Sequence, residues 1–354
     1  MKALASIVIL FKGLIAPALL LAQQPLVKPG GIVNGASFKP RVAPGSIASV
    51  FGNNLAASVI SASATPLPTI LGGTTVTLSG LTGPLLAPLF YVSPSQINFQ
   101  VPWELTGQSQ ASLTVTVGGS TSNPVTVALA NFAPGIFVAN SSGQGAILNA
   151  DSASIAAPSC ALPGSQPVVP GRFISIYATG LGPVANQPAT GATASDNPLS
   201  VTTTTPTVTI GSVSAPTGEE SQFSGLAPAS VGLYQINVQV PQDAPTGDAI
   251  QLTVSIGGVT SNTVAVAVAS GNHYVDLTWT ASTTGGVSYN VYCRLKSNPT
   301  PIWAGSTVVG MTNFTHYGVQ GGQSYLYQVT AVDPRNPQIE SGPSNIAEAD
   351  VPSP

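Results

Sequence analysis

The chain has 354 residues, of which 43% are hydrophobic and only 6% are charged, and its formal net charge is −3. This composition excludes a disordered, charge-solvated chain, because such chains combine few apolar residues with many charges. It also argues against nucleic-acid binding, since no Lys/Arg cluster or basic stripe is present to neutralise phosphates.

The first residues have the pattern of an export signal. An apolar stretch runs from Ala3 to Ala22 behind a short positive start, and Lys12 and Pro17 interrupt it. The interruptions leave fewer than the ~20 consecutive apolar residues that a membrane helix needs. We therefore expect residues 1–22 to be a cleaved signal peptide, with an N-terminal membrane anchor as the alternative. Because no later apolar stretch is long enough for a span, the protein is expected to be secreted or held at the cell surface.

One alternating segment occurs twice and organises the rest of the chain. Residues 96–102 read QINFQVP, and residues 235–241 read QINVQVP. Apolar and polar residues alternate with a period of two, which predicts a half-buried β-strand. A Gly-Gly hairpin turn follows each copy, at 118–119 and 257–258, with the same offset of 139 residues. These matching offsets predict a duplicated β domain.

Each copy also contains a Pro-Gly turn followed by an apolar strand, at 44–51 (PGSIASVF) and 170–177 (PGRFISIY). The two glycines are 126 residues apart, whereas the preceding asparagines, Asn34 and Asn149, are 115 apart. The second copy therefore carries about eleven extra residues between these points. Many short strands without a helical period predict antiparallel β-sandwiches of immunoglobulin type, over residues 30–137 and 143–269.

Three segments of the repeats carry a resemblance to a known family: 178–183 (ATGLGP), 234–241 (YQINVQVP) and 257–262 (GGVTSN). The repeats resemble the TIG-type immunoglobulin-like modules of large secreted bacterial proteins. In particular, they are similar to an uncharacterised module at the C-terminal ends of acidobacterial (Solibacter-type) proteins. The resemblance implies a fold but no activity.

The last part of the chain, about residues 272–352, has a different composition and a different set of landmarks. A strand ends at Trp279, the segment 289–292 reads YNVY, Tyr325 follows a Gly turn, and 341–345 reads SGPSN. These features resemble a fibronectin type III domain. The resemblance implies that Trp279 is a core tryptophan and that Tyr325 is a tyrosine corner, whose hydroxyl ties down the preceding loop. The predicted fold class is therefore all-β, with three consecutive immunoglobulin-like β-sandwiches.

The two cysteines admit two interpretations. Export permits a disulfide between Cys160 and Cys293. Strand parity places Cys293 on the same face as Tyr289 and Val291, while Cys160 lies in a Pro/Ser-rich loop. A buried free thiol at Cys293 is the expectation, and the disulfide is the alternative.

Patterns typical of catalysis, metal binding or cofactor binding are absent from the sequence. His273 and His316 are the only histidines, and no Gly-x-Ser-x-Gly elbow accompanies them. The carboxylates are scattered, and neither a calcium loop nor a Cys/His zinc pattern is present. No catalytic, cofactor or metal residue is therefore predicted, and the protein is expected not to be an enzyme.

Surface aromatics and amides are the remaining candidates for binding. Trp103 and Trp303 could stack on sugar rings, or they could fill a domain junction or the end of a sandwich. The polar faces Gln-Asn-Gln at 96–100 and 235–239 could line a glycan or peptide groove or pair with a neighbouring domain. The simpler alternative is a solvated sheet face, or amides that satisfy nearby backbone groups.

These observations predict a non-catalytic secreted or cell-surface protein with a structural or adhesive role. Its partner is an unidentified protein or glycan at the cell surface or in the matrix. A carbohydrate-binding accessory protein is the second hypothesis, and a secreted hydrolase is a distant third.

Overall fold

The computed structural model describes residues 24–215, 223–271 and 273–353. The expected signal peptide, residues 1–22, lies outside these ranges. Within them, the regular structure is β-strand apart from one short 3-10 turn at Trp103–Leu105. The all-β prediction is therefore confirmed. The described residues contain no helix with the length and apolar character required to cross a membrane.

Eleven strands of the described chain form the first sandwich. They are β1 (Leu26–Asn34), β2 (Arg41–Val42), β3 (Ile47–Asn53), β4 (Ile60–Ser61), β5 (Thr74–Gly80), β6 (Gly83–Leu86), β7 (Leu89–Val92), β8 (Gln96–Gln100), β9 (Gln110–Val117), β10 (Ser120–Thr121) and β11 (Val125–Leu129). One sheet has the order β1-β3-β8-β7-β4, and the other has the order β2-β11-β9-β5-β6, with β10 on β9. β2 runs parallel to β11, while the other pairs are antiparallel.

Ten strands of the described residues form the second sandwich. They are β12 (Gly135–Ile136), β13 (Ile147–Asn149), β14 (Phe173–Thr179), β15 (Thr207–Ile210), β16 (Val213–Ser214), β17 (Phe223–Leu226), β18 (Tyr234–Gln239), β19 (Gly247–Ile256), β20 (Val259–Thr260) and β21 (Val264–Val268). One sheet has the order β12-β14-β18-β17, with β13 also on β14, and the other has the order β16-β15-β19-β20, with β21 also on β19. The segment β14-β18-β17 repeats β3-β8-β7, so the two copies share one topology.

Seven strands form the third sandwich. They are β22 (Tyr274–Thr278), β23 (Ser288–Leu295), β24 (Ile302–Ser306), β25 (Asn313–Tyr317), β26 (Ser324–Asp333), β27 (Asn336–Glu340) and β28 (Ala347–Asp350). One sheet contains β22 and β25, and the other has the order β24-β23-β26-β27, with β28 on β26.

The repeated strand builds the core of each copy as its alternation predicts. In β18, Tyr234, Ile236 and Val238 are buried, while Gln235 and Asn237 on the other face are only partly buried. Full burial of an aliphatic side chain contributes roughly 1.5–3 kcal/mol. A shift of register by one residue would exchange the two faces, so burial also fixes the pairing of β18 with β14.

The polar face of the repeated strand is hydrogen-bonded in the same way in both copies. In the first copy, Asn98 Oδ1 accepts bonds from the amide of Gln96 at 2.8 Å and from the hydroxyl of Ser49 at 2.8 Å. In the second copy, Asn237 Oδ1 accepts bonds from the amide of Gln235 at 2.7 Å and from the hydroxyl of Ser175, on β14, at 2.9 Å. These amides are therefore satisfied within each sandwich, and they tie the repeated strand to its neighbour.

Tyr325 connects β26 to the loop that precedes it. Its side chain is buried, and its hydroxyl oxygen accepts a hydrogen bond of 2.9 Å from the backbone N–H of Gln320. Burial raises the pKa of Tyr325 to about 12, so the hydroxyl stays protonated at ordinary pH. Trp279 follows β22 and packs edge-on against Tyr289, with a centroid distance of 5.3 Å.

We expect Tyr325→Phe to lower the free energy of unfolding of the third sandwich by about 1–3 kcal/mol, because it leaves the buried N–H of Gln320 without a partner. Urea unfolding of the full chain, followed by tryptophan fluorescence, measures this loss. Tyr317→Phe is the matched control, since the Tyr317 side chain is 62% exposed. Equal losses in the two variants would contradict a specific role for the Tyr325 hydroxyl.

Candidate functional site at the sandwich junctions

Trp103, a candidate for sugar stacking, lies in the first junction, which is the interface between the first and second sandwiches. The 3-10 turn after Pro102 places the indole in the core cluster of the second sandwich, where it is only 4% exposed. No open face remains on which a sugar ring could stack. Of the two alternatives from the sequence, this position supports the domain junction over sugar stacking.

Each Pro-Gly turn provides the surface on which the residue after the repeated strand rests. Gly45 has φ +78°, and a Cβ at this position would lie 2.1 Å from Cη2 of Trp103. In the second copy, Gly171 has φ +83°, and a Cβ there would lie 2.1 Å from Nε2 of Gln242. Both glycines supply a left-handed backbone conformation and the space for the residue after the repeated strand. The two copies share this arrangement but place a different side chain on it.

Gln100, the last amide of the first polar face, connects the two sandwiches. It is fully buried, it donates to the carbonyl of Gly45 at 3.3 Å, and it accepts from the backbone N–H of Gly191 at 2.6 Å. Beside it, the backbone N–H of Trp103 donates to the Thr190 hydroxyl at 3.1 Å. This part of the polar face therefore contacts the neighbouring sandwich, which was one of the alternatives from the sequence.

The equivalent asparagines of the two copies each bind the segment that leads to the next junction. Asn34 is buried and donates from Nδ2 to the carbonyl of Ala133 at 2.8 Å. Asn149 donates from Nδ2 to the carbonyl of Gln166 at 2.9 Å. Gln166 belongs to residues 157–167, which we call the inserted loop because the first copy has no counterpart. The inserted loop forms the second junction, between the second and third sandwiches.

A disulfide between Cys160 and Cys293 spans the second junction. The two Cα atoms are 5.5 Å apart, the residues are separated by 133 positions, and both side chains are buried. The expectation of a free thiol at Cys293 was therefore wrong, although the predicted inward orientation was right. The alternation of side chains along β23 predicted that Cys293 points inward. It could not indicate that the inserted loop enters the core of the third sandwich next to it. Cys160 is part of that core cluster.

Further hydrogen bonds hold the inserted loop against the third sandwich. The Ser159 hydroxyl donates to the carbonyl of Gly318 at 2.6 Å, and the N–H of Gly164 donates to the carbonyl of Trp303 at 3.3 Å. Gln320 connects the two sandwiches from the other side, because its Nε2 donates to the carbonyl of Val268 at 3.0 Å. The junction is therefore fixed by one covalent bond and by hydrogen bonds from both partners.

Trp303, the second tryptophan proposed to contact a ligand, lies at the rim of this junction. Its side chain is 42% exposed, and its Nε1 donates to the Ser306 hydroxyl at 3.2 Å. The inserted loop passes beside it, since a Cβ on Gly164 would lie 3.8 Å from the ring. A large part of the indole remains accessible, so contact with a ligand stays a prediction for Trp303.

His316 completes a buried cluster with the two sulfurs. One donor atom from each of His316, Cys160 and Cys293 lies within 4.8 Å of the others. His316 Nδ1 and the Tyr327 hydroxyl are 2.9 Å apart, and burial lowers the pKa of His316 to about 4, which keeps the imidazole neutral. Metal binding uses thiolates, and the disulfide provides none. In the oxidised chain this cluster is therefore packing around a covalent bond, and in the described structure His316 contacts Tyr327 and Phe314.

We expect Trp103→Ala to lower the free energy of unfolding by about 3–5 kcal/mol, because it opens a cavity between the first and second sandwiches. Denaturant unfolding followed by far-ultraviolet circular dichroism measures the change. Trp303→Ala removes the same side chain from a partly exposed site, so it should lower the free energy of unfolding by clearly less. A larger loss for Trp303→Ala than for Trp103→Ala would contradict the assignment of Trp103 to the junction.

We expect the stability of the third sandwich to decrease between pH 6.5 and pH 4 through His316. The unfolded chain protonates this imidazole near pH 6.5, whereas the folded chain resists protonation until about pH 4. The unfolded state thus binds the extra proton in this window, and the stability that the neutral ring provides above pH 6.5 is lost as the pH falls. At about 1.4 kcal/mol per pKa unit, the loss amounts to roughly 3 kcal/mol.

Unfolding midpoints at pH 7 and pH 4 for the wild type and for His316→Gln test this expectation. The variant should lose less stability on acidification, while His273→Gln, which also removes a histidine, should behave as the wild type. The same pH dependence in all three proteins would exclude His316 as the source.

Comparisons with known proteins leave the family open. No family model and no curated protein matches this sequence. Similar solved structures include a segment of titin domains (14% identity, 88% of this chain and 96% of that chain, TM-score 0.20). They also include the FN1 to FN3 domains of chicken CNTN1 (10% identity, 93% and 99%, TM-score 0.21) and the gamma-CGTase of alkalophilic Bacillus clarkii (14% identity, 87% and 36%, TM-score 0.23). At these TM-scores the neighbours carry no information about a ligand or activity, and the assignment of immunoglobulin-like sandwiches depends on the strand order described above.

Proposed function

We propose that this chain is an exported, non-catalytic structural protein that holds an adhesive surface at a fixed distance from the cell or within the matrix. The observation that carries this proposal is the Cys160–Cys293 bond between two sandwiches. Disulfides persist in oxidising compartments and are rare in the cytosol. The bond therefore supports export independently of the apolar N-terminal stretch.

The geometry of the junctions supports the structural part of the proposal. Trp103 is buried between the first two sandwiches, and the inserted loop is bonded covalently to the core of the third. Interfaces between domains of one chain usually permit relative motion unless they are large and apolar. A buried indole at one junction and a covalent bond at the other restrict that motion. Such a chain acts as a stiff spacer rather than as a flexible linker.

We expect the disulfide to limit how far the protein can be stretched. Single-molecule pulling on the two ends should unfold the oxidised chain to a contour length about 450 Å shorter than that of the reduced chain, at ~3.4 Å for each of the residues that the bond encloses. The protein should be collected from the exported fraction of its own host, and its cysteines should resist thiol labelling before reduction.

The double variant Cys160→Ser/Cys293→Ser is the matched control, and it should extend to the reduced length with or without reductant. Equal lengths for the oxidised and reduced wild type, or free thiols in the exported protein, would contradict the proposal.

A carbohydrate-binding accessory protein is the second candidate, and the exposed indole of Trp303 favours it. A glycan array distinguishes the two. Saturable binding that Trp303→Ala abolishes and Tyr317→Phe leaves intact would favour a lectin-like role. Turnover of polysaccharides or esters by purified residues 23–354 would instead favour the hydrolase alternative.

A further inference from the structure

The third sandwich has an edge that no described strand covers. In the first sandwich, β3 pairs with β8 on one side and with β1 on the other. In the second, β14 pairs with β18 on one side and with β12 and β13 on the other. β22 takes the place of β3 and β14 in the third, and among the described residues it pairs with β25 alone. The strand that comes first in the other two sandwiches therefore has no counterpart in the described part of the third.

The register of β22 identifies the backbone groups at the open edge. Two backbone hydrogen bonds of 3.1 Å flank the β22–β25 pair. Gly318 N–H donates to the His273 carbonyl, and Trp279 N–H donates to the Thr312 carbonyl. The backbone N–H and C=O groups of the odd-numbered residues of β22 therefore point toward β25. Along an antiparallel strand, the backbone groups of successive residues alternate between pointing toward the paired strand and pointing away from it. The N–H and C=O groups of the even-numbered residues therefore face the open side: Tyr274, Asp276 and Thr278.

The core is also open at the Trp279 end of this edge. A groove of about 500 Å³ is lined there by Trp279, Tyr289, Val329 and the bend at 341–345, and it meets β22 at Thr278. Val329 lies on the same face of β26 as the buried Tyr325, and yet it is only partly buried. The Nε1 of Trp279 is buried and lacks a hydrogen-bond partner in the described structure. Unpaired edges and unfilled cores are both features that proteins normally cover.

We propose that β22 accepts an extended segment of a partner polypeptide as an added antiparallel strand. The first two sandwiches indicate the occupant, because in each of them a β-strand fills the equivalent place. The segment alternates apolar residues, which enter the groove, with polar residues that face solvent. A basic residue opposite Asp276 complements the only charge on the edge, since opposite charges on facing strands attract. Main-chain hydrogen bonds provide the affinity, and the groove provides the specificity.

Charge favours a different polypeptide over a second copy of this chain. A twofold antiparallel pairing of β22 with β22 of another copy, centred on the strand, would place Asp276 opposite Asp276. Like charges directly across two strands are destabilising. The Asp276 carboxylate accepts a hydrogen bond of 2.7 Å from the hydroxyl of Thr315 on the neighbouring β25.

The inference deepens the proposed adhesive function by naming the class of partner, but its test does not depend on export. Binding of a peptide can fail while the disulfide still limits extension, and the reverse is equally possible. The two proposals are therefore separable by experiment.

The test uses the full chain and a synthetic nine-residue peptide, Thr-Val-Thr-Val-Lys-Val-Thr-Val-Thr. Calorimetry or fluorescence anisotropy should detect saturable binding, and a peptide with the same composition but clustered valines should bind at least tenfold more weakly. Asp276→Pro removes an N–H that faces the open edge but leaves the bonds to β25 in place, and edge strands tolerate proline in this orientation. This variant should lose at least tenfold in affinity relative to Asp276→Ala, which removes the charge but keeps the N–H.

Amide hydrogen exchange provides a second readout and a check on folding. In the free chain, the amides of Val275 and Leu277 should be protected, and those of Tyr274, Asp276 and Thr278 should exchange quickly. Addition of the alternating peptide should protect the second group.

Each of the following results would overturn the proposal. The first is failure of the peptide test, by absence of saturable binding up to millimolar peptide or by equal binding of Asp276→Pro and Asp276→Ala. The second is protection of the edge amides in the free, monomeric chain, which would mean that another part of this chain already covers the edge. The third is concentration-dependent self-association that Asp276→Pro abolishes, which would assign the edge to a second copy.

Discussion

The structure of the third sandwich depends on the covalent bond between Cys160 and Cys293. One core cluster of this sandwich contains seven buried residues in the described structure, and one of them, Cys160, belongs to the second sandwich. Small cores rarely supply enough stability by themselves and commonly require a disulfide or metal. A disulfide typically contributes about 2–4 kcal/mol, mainly by restricting the unfolded chain. The bond therefore ties the core of the third sandwich to the inserted loop of the second.

The two junctions are formed by different residues, although both follow a copy of the same duplicated domain. Both copies keep the Pro-Gly turn, the repeated strand and its hydrogen-bonded amides. They differ where one copy must contact the next sandwich. Trp103 occupies the position above Gly45, whereas Gln242 occupies the same position above Gly171. The inserted loop, which only the second copy has, forms the other junction. Divergence is thus concentrated at the surfaces that determine how the sandwiches are arranged, and the cores are preserved.

The strand order of the third sandwich leaves one edge of β22 open as the proposed binding surface. Among the described residues, no strand lies between β21 and β22, and β22 pairs with β25 alone. The second junction covers one end of this sandwich, through the inserted loop and Gln320. At the other end, the groove near Trp279 stays open. A rigid junction beside an incomplete sheet edge is a suitable arrangement for presenting that edge to a partner.

The sequence by itself determined the local structure, because alternation along a strand decides which side chains face the core. It identified the repeated strand, the inward position of Cys293 and the landmarks around Tyr325. It did not determine what lies against those faces, since pairing between segments far apart in the chain leaves no local pattern. Trp103 and Trp303 have similar sequence surroundings, with a proline nearby, and yet one is buried in a junction and the other is partly exposed at the rim of a junction. Only the tertiary structure could join Cys160 to Cys293, and only the strand order could show that β22 has a single neighbour.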